Sequence, residues 1–321
     1  MQTQTARQWM ITHEWMVKPM QQKEWIERRG LLLWLAEVFS SLGTGLYLVA
    51  LFVNSWWGAL IGWLIIVLLK LPLHLAYLGK PLRFWRTVPP FSGAWKTSWI
   101  ARGVFFTVLF TGFGAVQLLT SYFLTQTTII TGQALSALVV FDIMVKILAG
   151  IFVVLTAIYC GFMMSYCKSV PFWNTGILPI VILNAGIADG LALIMGVGIF
   201  TGGIDFHVIE SATRITLAIN AVLIATYLVN ATYQSTIAEL SVKELIAGRV
   251  AVVFWLGIVL FGIVVPLVIS FLSLFAGKFS MPLLVGAIIC HTVGAFALKY
   301  GILKVGIHKP IVPGAIVRQV R

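Results

Sequence analysis

Long apolar blocks separated by short polar links run along almost the whole chain. Each of the eight blocks is long enough to cross a hydrocarbon core of about 30 Å as an α-helix that rises about 1.5 Å per residue. Strands of a membrane β-barrel would instead give segments of about 10 residues with alternating hydrophobicity. The pattern predicts an all-α integral membrane protein with eight transmembrane helices, over residues 31–54, 56–78, 100–125, 135–166, 177–200, 211–235, 250–274 and 281–303.

The links between these helices are mostly short, which favours antiparallel packing of helices that follow one another. We therefore expect two four-helix bundles. The first covers residues 31–166 and the second residues 167–303, with a polar segment over 1–30 and a basic tail over 304–321.

Composition supports membrane insertion and argues against a nucleic-acid partner. The chain is 60% hydrophobic and 10% charged, whereas a soluble domain has about 25% charged residues. The formal net charge of +12 could suggest nucleic acid, but the basic residues flank the apolar blocks. The first 30 residues lack the short apolar core of a cleavable signal peptide, so we expect the first helix to direct insertion.

Lys and Arg residues are concentrated on one side of the predicted helices. With eight helices, both termini and the second, fourth and sixth links lie on the same side, and most of the 22 Lys and Arg residues fall there. We call this the basic side. The positive-inside rule places it, and both termini, in the cytoplasm, with the protein in the inner (cytoplasmic) membrane.

Two links on the basic side have an unusual composition. Residues 79–99 and 167–175 combine Trp, Phe and Pro with cations. Such residues can form an interfacial aromatic belt, but aromatic residues with Arg are also typical of protein interfaces. We expect a surface that docks a partner protein, formed by Lys80, Arg83, Trp85, Arg86, Lys168, Phe172, Trp173 and Asn174.

The metal-binding residue types are sparse. Cys160, Cys167 and Cys290 are the only cysteines, and an iron–sulfur cluster usually needs four thiolates. A di-haem cytochrome needs histidine pairs on facing helices, and only His74 and His291 fall inside the predicted helices. We expect neither an iron–sulfur cluster nor haem in this chain, and no other metal site.

Ionisable and polar residues inside a membrane helix are costly, so each is a candidate functional residue. Four of them lie in the third of the membrane nearest the basic side. An apolar slot with such groups suits a quinone, whose ring oxygens accept hydrogen bonds and exchange protons. The predicted quinone-binding residues are Glu37, His74, Tyr77 and Tyr159.

A second set of polar residues lies deeper and could carry protons. Asp142 and Lys146 are spaced i, i+4, so they share a helix face and can pair, either as a structural ion pair or as a step in a proton path. Asp189 has no partner nearby in sequence and could equally be a carboxyl satisfied between helices. The predicted proton path consists of Asp142, Lys146, Asp189 and Asn184.

Several motifs resemble one known family. Tyr159 to Ser165, followed by Pro171-Phe-Trp-Asn174 and Leu178-Pro179, resembles the signature hairpin of the NrfD/PsrC (polysulfide reductase) membrane-subunit family. Similar resemblances are seen at Leu78 to Phe84, Gly43 to Leu48 and Trp255 to Pro266. The resemblance covers nearly the whole chain, and the hairpin is its most specific part.

This resemblance implies a membrane anchor without a redox cofactor of its own. Such subunits hold a ferredoxin-like iron–sulfur subunit, which exchanges electrons with a molybdopterin catalytic subunit. Menaquinone or ubiquinone binds in the N-terminal bundle, where Tyr159 matches the family tyrosine. The chain departs from the family at Tyr77, where many relatives have Asp or His.

The expected function is therefore the quinone half-reaction of an oxidoreductase complex, in a subunit that is not the catalytic one. Two other classes stay open from the sequence. A secondary transporter would place its charges along a substrate path. A purely structural anchor would take no part in electron transfer.

Overall fold

The computed structural model describes residues 16, 18–87, 92–126, 133–276 and 280–311. Within these ranges, eight helices are long and apolar enough to cross a membrane, which confirms the all-α, multi-pass membrane fold. These eight are α1 Gly30–Phe52, α2 Trp56–Tyr77, α3 Trp99–Gln126, α4 Gln133–Ser165, α5 Ile177–Thr201, α6 Phe206–Gln234, α8 Val253–Ala276 and α9 Met281–Lys304, and a short helix, α7 Thr236–Ile246, lies between α6 and α8.

The predicted helix boundaries agree with these ranges to within a few residues, and the largest difference is at the start of α6. The sequence places this start at residue 211, but the helix begins at Phe206. The Asp205 side chain accepts hydrogen bonds from the backbone N–H groups of His207 and Val208, and this N-cap begins the helix one turn earlier.

The short helix α7 was not predicted. It has 11 residues, too few to cross a bilayer, and it lies in the sixth link on the basic side. Ser235 caps its N-terminus by accepting from Ala238 N, and Glu239 pairs with Lys243 one turn later. Its apolar residues Ile237, Val242 and Leu245 are buried against the rest of the protein.

Helices α1 and α5 cross at the centre of the protein through glycines. A Cβ at Gly45 would lie 1.8 Å from the backbone oxygen of Gly186, and a Cβ at Gly190 would lie 2.1 Å from the Gly45 oxygen. Small residues let membrane helices approach to backbone contact in this way. The division into two four-helix bundles stays a prediction, and this crossing joins its two halves.

Two helices contain a π-helical stretch just before a proline. In α2, residues Ile65–Lys70 are π-helical and Pro72 follows; in α8, Val253–Val264 are π-helical and Pro266 follows. Proline has no N–H to donate to the carbonyl four residues earlier, so the regular ladder is interrupted there. π-helical turns often mark functional sites, and the one in α2 precedes His74, a predicted quinone-binding residue.

The two ends of the described chain meet on the basic side. The strands β1 Met20–Gln21 and β2 Ile307–His308 pair antiparallel, and Gln22 N donates to Gly306 O at 2.8 Å. Lys304 Nζ donates to Glu27 at 2.7 Å, and this bond holds the pKa of the half-buried Glu27 carboxyl below its usual range. The two strands thus place the segments before α1 and after α9 on one side, as eight spans require.

The turn between α4 and α5 belongs to the core rather than to the surface. Phe172 is fully buried and Trp173 is 2% exposed, so these two residues cannot form part of an exposed docking surface. Trp173 Nε1 donates to Ile302 O at 2.8 Å, and the hydroxyl of Tyr227 donates to Phe172 O at 2.7 Å. Asn174 is half-buried and donates to Ser165 O, which closes the turn.

Candidate functional site

A cavity of about 200 Å³ lies between α2, α3 and α4 near the basic side. Most of its lining is apolar and comes from Leu71, Leu75, Leu78, Phe84, Val104 and Val108. Val108 is 42% exposed, so the cavity reaches the surface that faces lipid. Its polar lining comes from Lys70, His74, Thr107, Thr111 and Tyr159.

Lys70 is the charged group of this cavity and was missed by the sequence analysis. It is 3% exposed, and its Nζ donates to Thr107 Oγ1 at 2.9 Å. The same Nζ lies 5.3 Å from the centre of the Tyr159 ring, within the range of a cation–π contact. A lysine in an apolar block costs insertion energy, and that signal could have identified it.

His74 and Tyr159, two of the four predicted quinone-binding residues, line the cavity together. His74 follows Lys70 by one helical turn, and its Nδ1 is buried without a hydrogen-bond partner among the residues the structure describes. Tyr159 is 3% exposed, and its ring fills space left by Gly103, where a Cβ would lie 2.2 Å from the ring. The cavity therefore contains donors that can reach a bound polar group.

Glu37 and Tyr77 do not line this cavity. Glu37 lies behind it on α1, 6% exposed, where its carboxyl is within hydrogen-bonding range of Cys160 and interacts electrostatically with Lys70. Tyr77 is at the last position of α2, partly buried, next to the Ala76 carbonyl that accepts from Arg29. Neither residue directly contacts the space where we expect the ring.

The predicted pair of Asp142 and Lys146 does not form. Asp142 accepts hydrogen bonds from the hydroxyls of Thr120 at 2.6 Å and Ser121 at 2.9 Å, both on α3. Lys146 Nζ instead lies 3.3 Å from Asn54 Oδ1. The two side chains share a helix face and could have paired, but the Asp142 carboxylate accepts its hydrogen bonds from the hydroxyls on α3 instead.

Asp142 and Lys146 nevertheless line one polar cavity of about 210 Å³, on the side opposite the basic side. From there, Ser121 accepts from Gln117 Nε2 at 2.8 Å, and Gln117 Oε1 accepts from the Tyr47 hydroxyl at 2.8 Å. Among the described residues, this chain of hydrogen bonds ends at the fully buried Tyr47.

Asp189 is paired with a histidine that lies 102 residues further along the chain. Its Oδ1 is 3.0 Å from His291 Nε2, and its Oδ2 accepts from Ser41 Oγ at 2.6 Å. All three groups are buried, on α5, α9 and α1. Asn184 lies five residues earlier on α5 and donates to Thr216 O at 3.2 Å.

The predicted docking residues on the second link are exposed to solvent. Residues Lys80, Arg83, Trp85 and Arg86, which we call the basic patch, are all exposed, and Lys168 is exposed on the other link. The Arg86 guanidinium lies 5.3 Å from the centre of the Trp85 ring. Phe84, from the same short helical segment, lines the cavity, so this segment joins the surface to the site.

A larger cavity of about 450 Å³ lies on the opposite side, between α6, α8 and α9. Its lining is mostly apolar, with Leu272 and Leu283 among the residues. Its buried carboxylate, Glu210, already pairs with Arg214 at 3.5 Å. This cavity therefore offers fewer free polar groups than the one at Tyr159.

Comparison with known proteins matches a family model to most of the chain and individual relatives to about half of it. A family model described as polysulphide reductase, NrfD, matches residues 39–310, a range that contains every candidate residue above except Glu37. The protein NrfD homolog of Haemophilus influenzae is 23% identical over 167 residues, which cover 50% of this chain and 52% of that protein.

A second relative is the C subunit of polysulfide reductase from Wolinella succinogenes. It is 29% identical over 154 residues, which cover 46% of this chain and 49% of that protein. The chain spans about half the length of the curated relatives it matches.

Proposed function

Because the chain belongs to the polysulphide reductase NrfD family, we propose that it is the quinone-reactive membrane subunit of an oxidoreductase complex. Electrons pass between the membrane quinone pool and a docked iron–sulfur subunit of ferredoxin type. That subunit in turn serves a molybdopterin catalytic subunit. The observation that carries the proposal is the cavity in which Lys70, His74 and Tyr159 meet.

The lining of the cavity suits a quinone head group. Leu71, Val104 and Val108 supply apolar surface for the ring, and the opening beside Val108 lets an isoprenoid tail extend into lipid. Menaquinone and ubiquinone share a ring with two oxygens that accept hydrogen bonds. Lys70 and Tyr159 can donate to them, and the unpaired Nδ1 of His74 can donate or accept.

The residues of the site also handle protons. Conversion of a quinone to a quinol adds two electrons and two protons, and the reverse reaction releases them. Tyr159 and His74 are placed to give or take a proton at a ring oxygen, and Lys70 stabilises negative charge on that oxygen. Thr107 holds the Lys70 ammonium in position through its 2.9 Å hydrogen bond.

The basic patch is proposed as the docking surface for the iron–sulfur subunit. Its cations would attract an acidic partner, and the exposed Trp85 gives it an aromatic anchor. Phe84 lies between this surface and the cavity, which keeps the distance for electron transfer short. By the positive-inside rule, this side and both termini are cytoplasmic and the protein lies in the inner membrane.

Proton movement across the membrane would involve both polar regions away from the cavity. Asp142 and Lys146 line the polar cavity on the opposite side, and Asp189 lies in the interior with Asn184 five residues away on α5. We propose that these residues carry protons between the quinone site and that opposite side.

Replacing Lys70 with methionine tests the proposed site. We expect the KM for quinol to rise about tenfold, because one charge-assisted hydrogen bond to the ring is lost. Methionine keeps the length and apolar packing of the side chain, so the protein should remain folded. The measurement is steady-state quinol oxidation, or quinone reduction, by the intact complex in native membranes.

The matched control is Lys243→Met, which removes the same charge from the exposed face of α7. It should leave the KM unchanged. If Lys70→Met and Lys243→Met give the same KM for quinol, the ring does not bind beside Lys70.

A further inference from the structure

Two buried ionisable groups behind the cavity lack hydrogen bonds that their burial would normally require. Oε1 of Glu37 and Nζ of Lys299 have no partner among the described residues, and the two residues are 6% and 5% exposed. A buried charge without partners costs several kcal/mol. Glu37 interacts electrostatically with Lys299 and with Lys70, which lines the cavity.

Lys299 also lines a very small cavity. This space of about 10 Å³ has Asn220, Asp189 and His291 among its polar lining. A water molecule needs about 10–15 Å³ and two to four polar partners. The cavity therefore has the size and the chemistry for one water between Lys299 and the pair formed by Asp189 and His291.

The hydrogen bonds of His291 fix the proton count of that pair. Its Nδ1 lies 3.0 Å from the Gly262 carbonyl, which only accepts, so Nδ1 carries a hydrogen. This carbonyl is available because Pro266, four residues later, has no N–H. The 3.0 Å contact between Nε2 and Asp189 then contains one more proton, on either atom.

We propose that Glu37, Lys299 and the Asp189–His291 pair form a buried proton reserve that exchanges one proton with the cavity during turnover. This inference rests on the proposed quinone reaction. In the direction of reduction, the iron–sulfur partner supplies two electrons, and two O–H bonds form on the ring. The reserve provides one of the two protons.

Each group that gives up a proton in this sequence is later protonated again. Lys70 gives one ammonium proton to the ring and is reprotonated by the Glu37 carboxyl group, and Glu37 then takes one proton from the Lys299 ammonium. Lys299 is reprotonated through the water by the proton of the Nε2–Oδ1 contact, and solvent later returns one proton to the pair. Quinol oxidation runs the same transfers in reverse, with the electrons going to the partner.

Replacing Lys299 with methionine tests the reserve. We expect kcat for quinol turnover to fall about tenfold or more with an unchanged KM, because proton delivery slows while the ring still binds. We also expect a higher melting temperature, since an unpaired buried ammonium is replaced by an apolar group of similar length. A purely structural lysine would give lower stability when removed.

The matched control is Lys304→Met, at the last position of the same helix, where the ammonium pairs with Glu27 at 2.7 Å. It should retain the wild-type kcat. Equal kcat values for Lys299→Met and Lys304→Met would overturn the proton reserve while leaving the proposed quinone reaction intact. A wild-type complex that does not react with quinol would overturn both proposals.

Infrared difference spectroscopy gives a second readout that does not depend on turnover rates. Reduction of the bound quinone in the wild-type complex should change the C=O stretching band of a protonated carboxyl group. Asp189→Asn should remove part of that change. A difference spectrum of Asp189→Asn identical to that of the wild type would contradict the assignment of the pair to the reserve.

Discussion

Replacing Tyr159 with phenylalanine is expected to lower the kcat for quinol turnover about 100-fold, because the site loses a group that gives or takes a proton at the ring oxygen. The substitution removes only the hydroxyl. The ring keeps its place beside Gly103, and the cation–π contact with Lys70 at 5.3 Å is retained. The measurement is quinol oxidation by the intact complex, with the amount of folded subunit determined in parallel.

The chain offers a close control for this experiment. Tyr166 lies seven residues later, just after the end of α4, and is 65% exposed. Tyr166→Phe makes the same chemical change outside the cavity and should leave the rate unchanged. A Tyr159→Phe complex that turns over quinol at the wild-type rate would show that this hydroxyl takes no part in the reaction.

Replacing Gly45 with alanine is expected to destabilise the whole protein by about 3 kcal/mol, the upper end of the usual cost of overpacking. The new Cβ would lie 1.8 Å from the backbone oxygen of Gly186, and backbone cannot rotate away as a side chain can. Helices α1 and α5 would have to separate. The measurement is the thermal unfolding of the purified protein in detergent.

Two other glycines serve as controls for this substitution. At Gly112 on α3 and Gly286 on α9, an added Cβ would meet no atom within 4 Å beyond the neighbouring backbone of its own helix. Gly112→Ala and Gly286→Ala should therefore unfold at or slightly above the wild-type temperature, because alanine favours the helix. If Gly45→Ala unfolds at the same temperature as these two, the close crossing of α1 and α5 is not essential to stability.

The membrane helices could be predicted from the sequence because the bilayer imposes their length and composition. The eight spans follow from apolar blocks of sufficient length, and most differences at their ends are small. The pairing of β1 with β2 could not be predicted in this way, since it joins segments almost the full chain apart. Two-residue strands leave no periodic signal in a sequence.

Depth in the membrane was enough to bring His74 and Tyr159 together in the prediction. It was not enough to separate them from Glu37 and Tyr77, because rotation about each helix axis depends on packing between helices. Lys70 had the clearest signal in the sequence, because a cation within an apolar block is costly to insert into the membrane, but it was not among the predicted site residues. The π-helical turn over Ile65–Lys70 also alters the direction of the side chains that follow it.

Hydrogen-bond partners that are distant in sequence explain the remaining differences between the predicted and the observed contacts. Asp142 accepts from Thr120 and Ser121 rather than pairing with Lys146. The i, i+4 spacing shows that two side chains can reach each other, but it does not show whether a group on another helix lies closer. Trp173 looked like an interface residue from its composition, yet its N–H is satisfied by Ile302 in the core.

One measurement tests the location of the quinone site most directly. A photoreactive quinone analogue is attached to the purified complex by light, and the labelled residues are mapped by mass spectrometry, with and without excess quinone. We predict labels on α2, α3 and α4 at residues lining the cavity, such as Leu75, Val108 and Tyr159, that excess quinone abolishes. Labels abolished by quinone only around Glu210 and Leu283, in the cavity of about 450 Å³, would contradict the site.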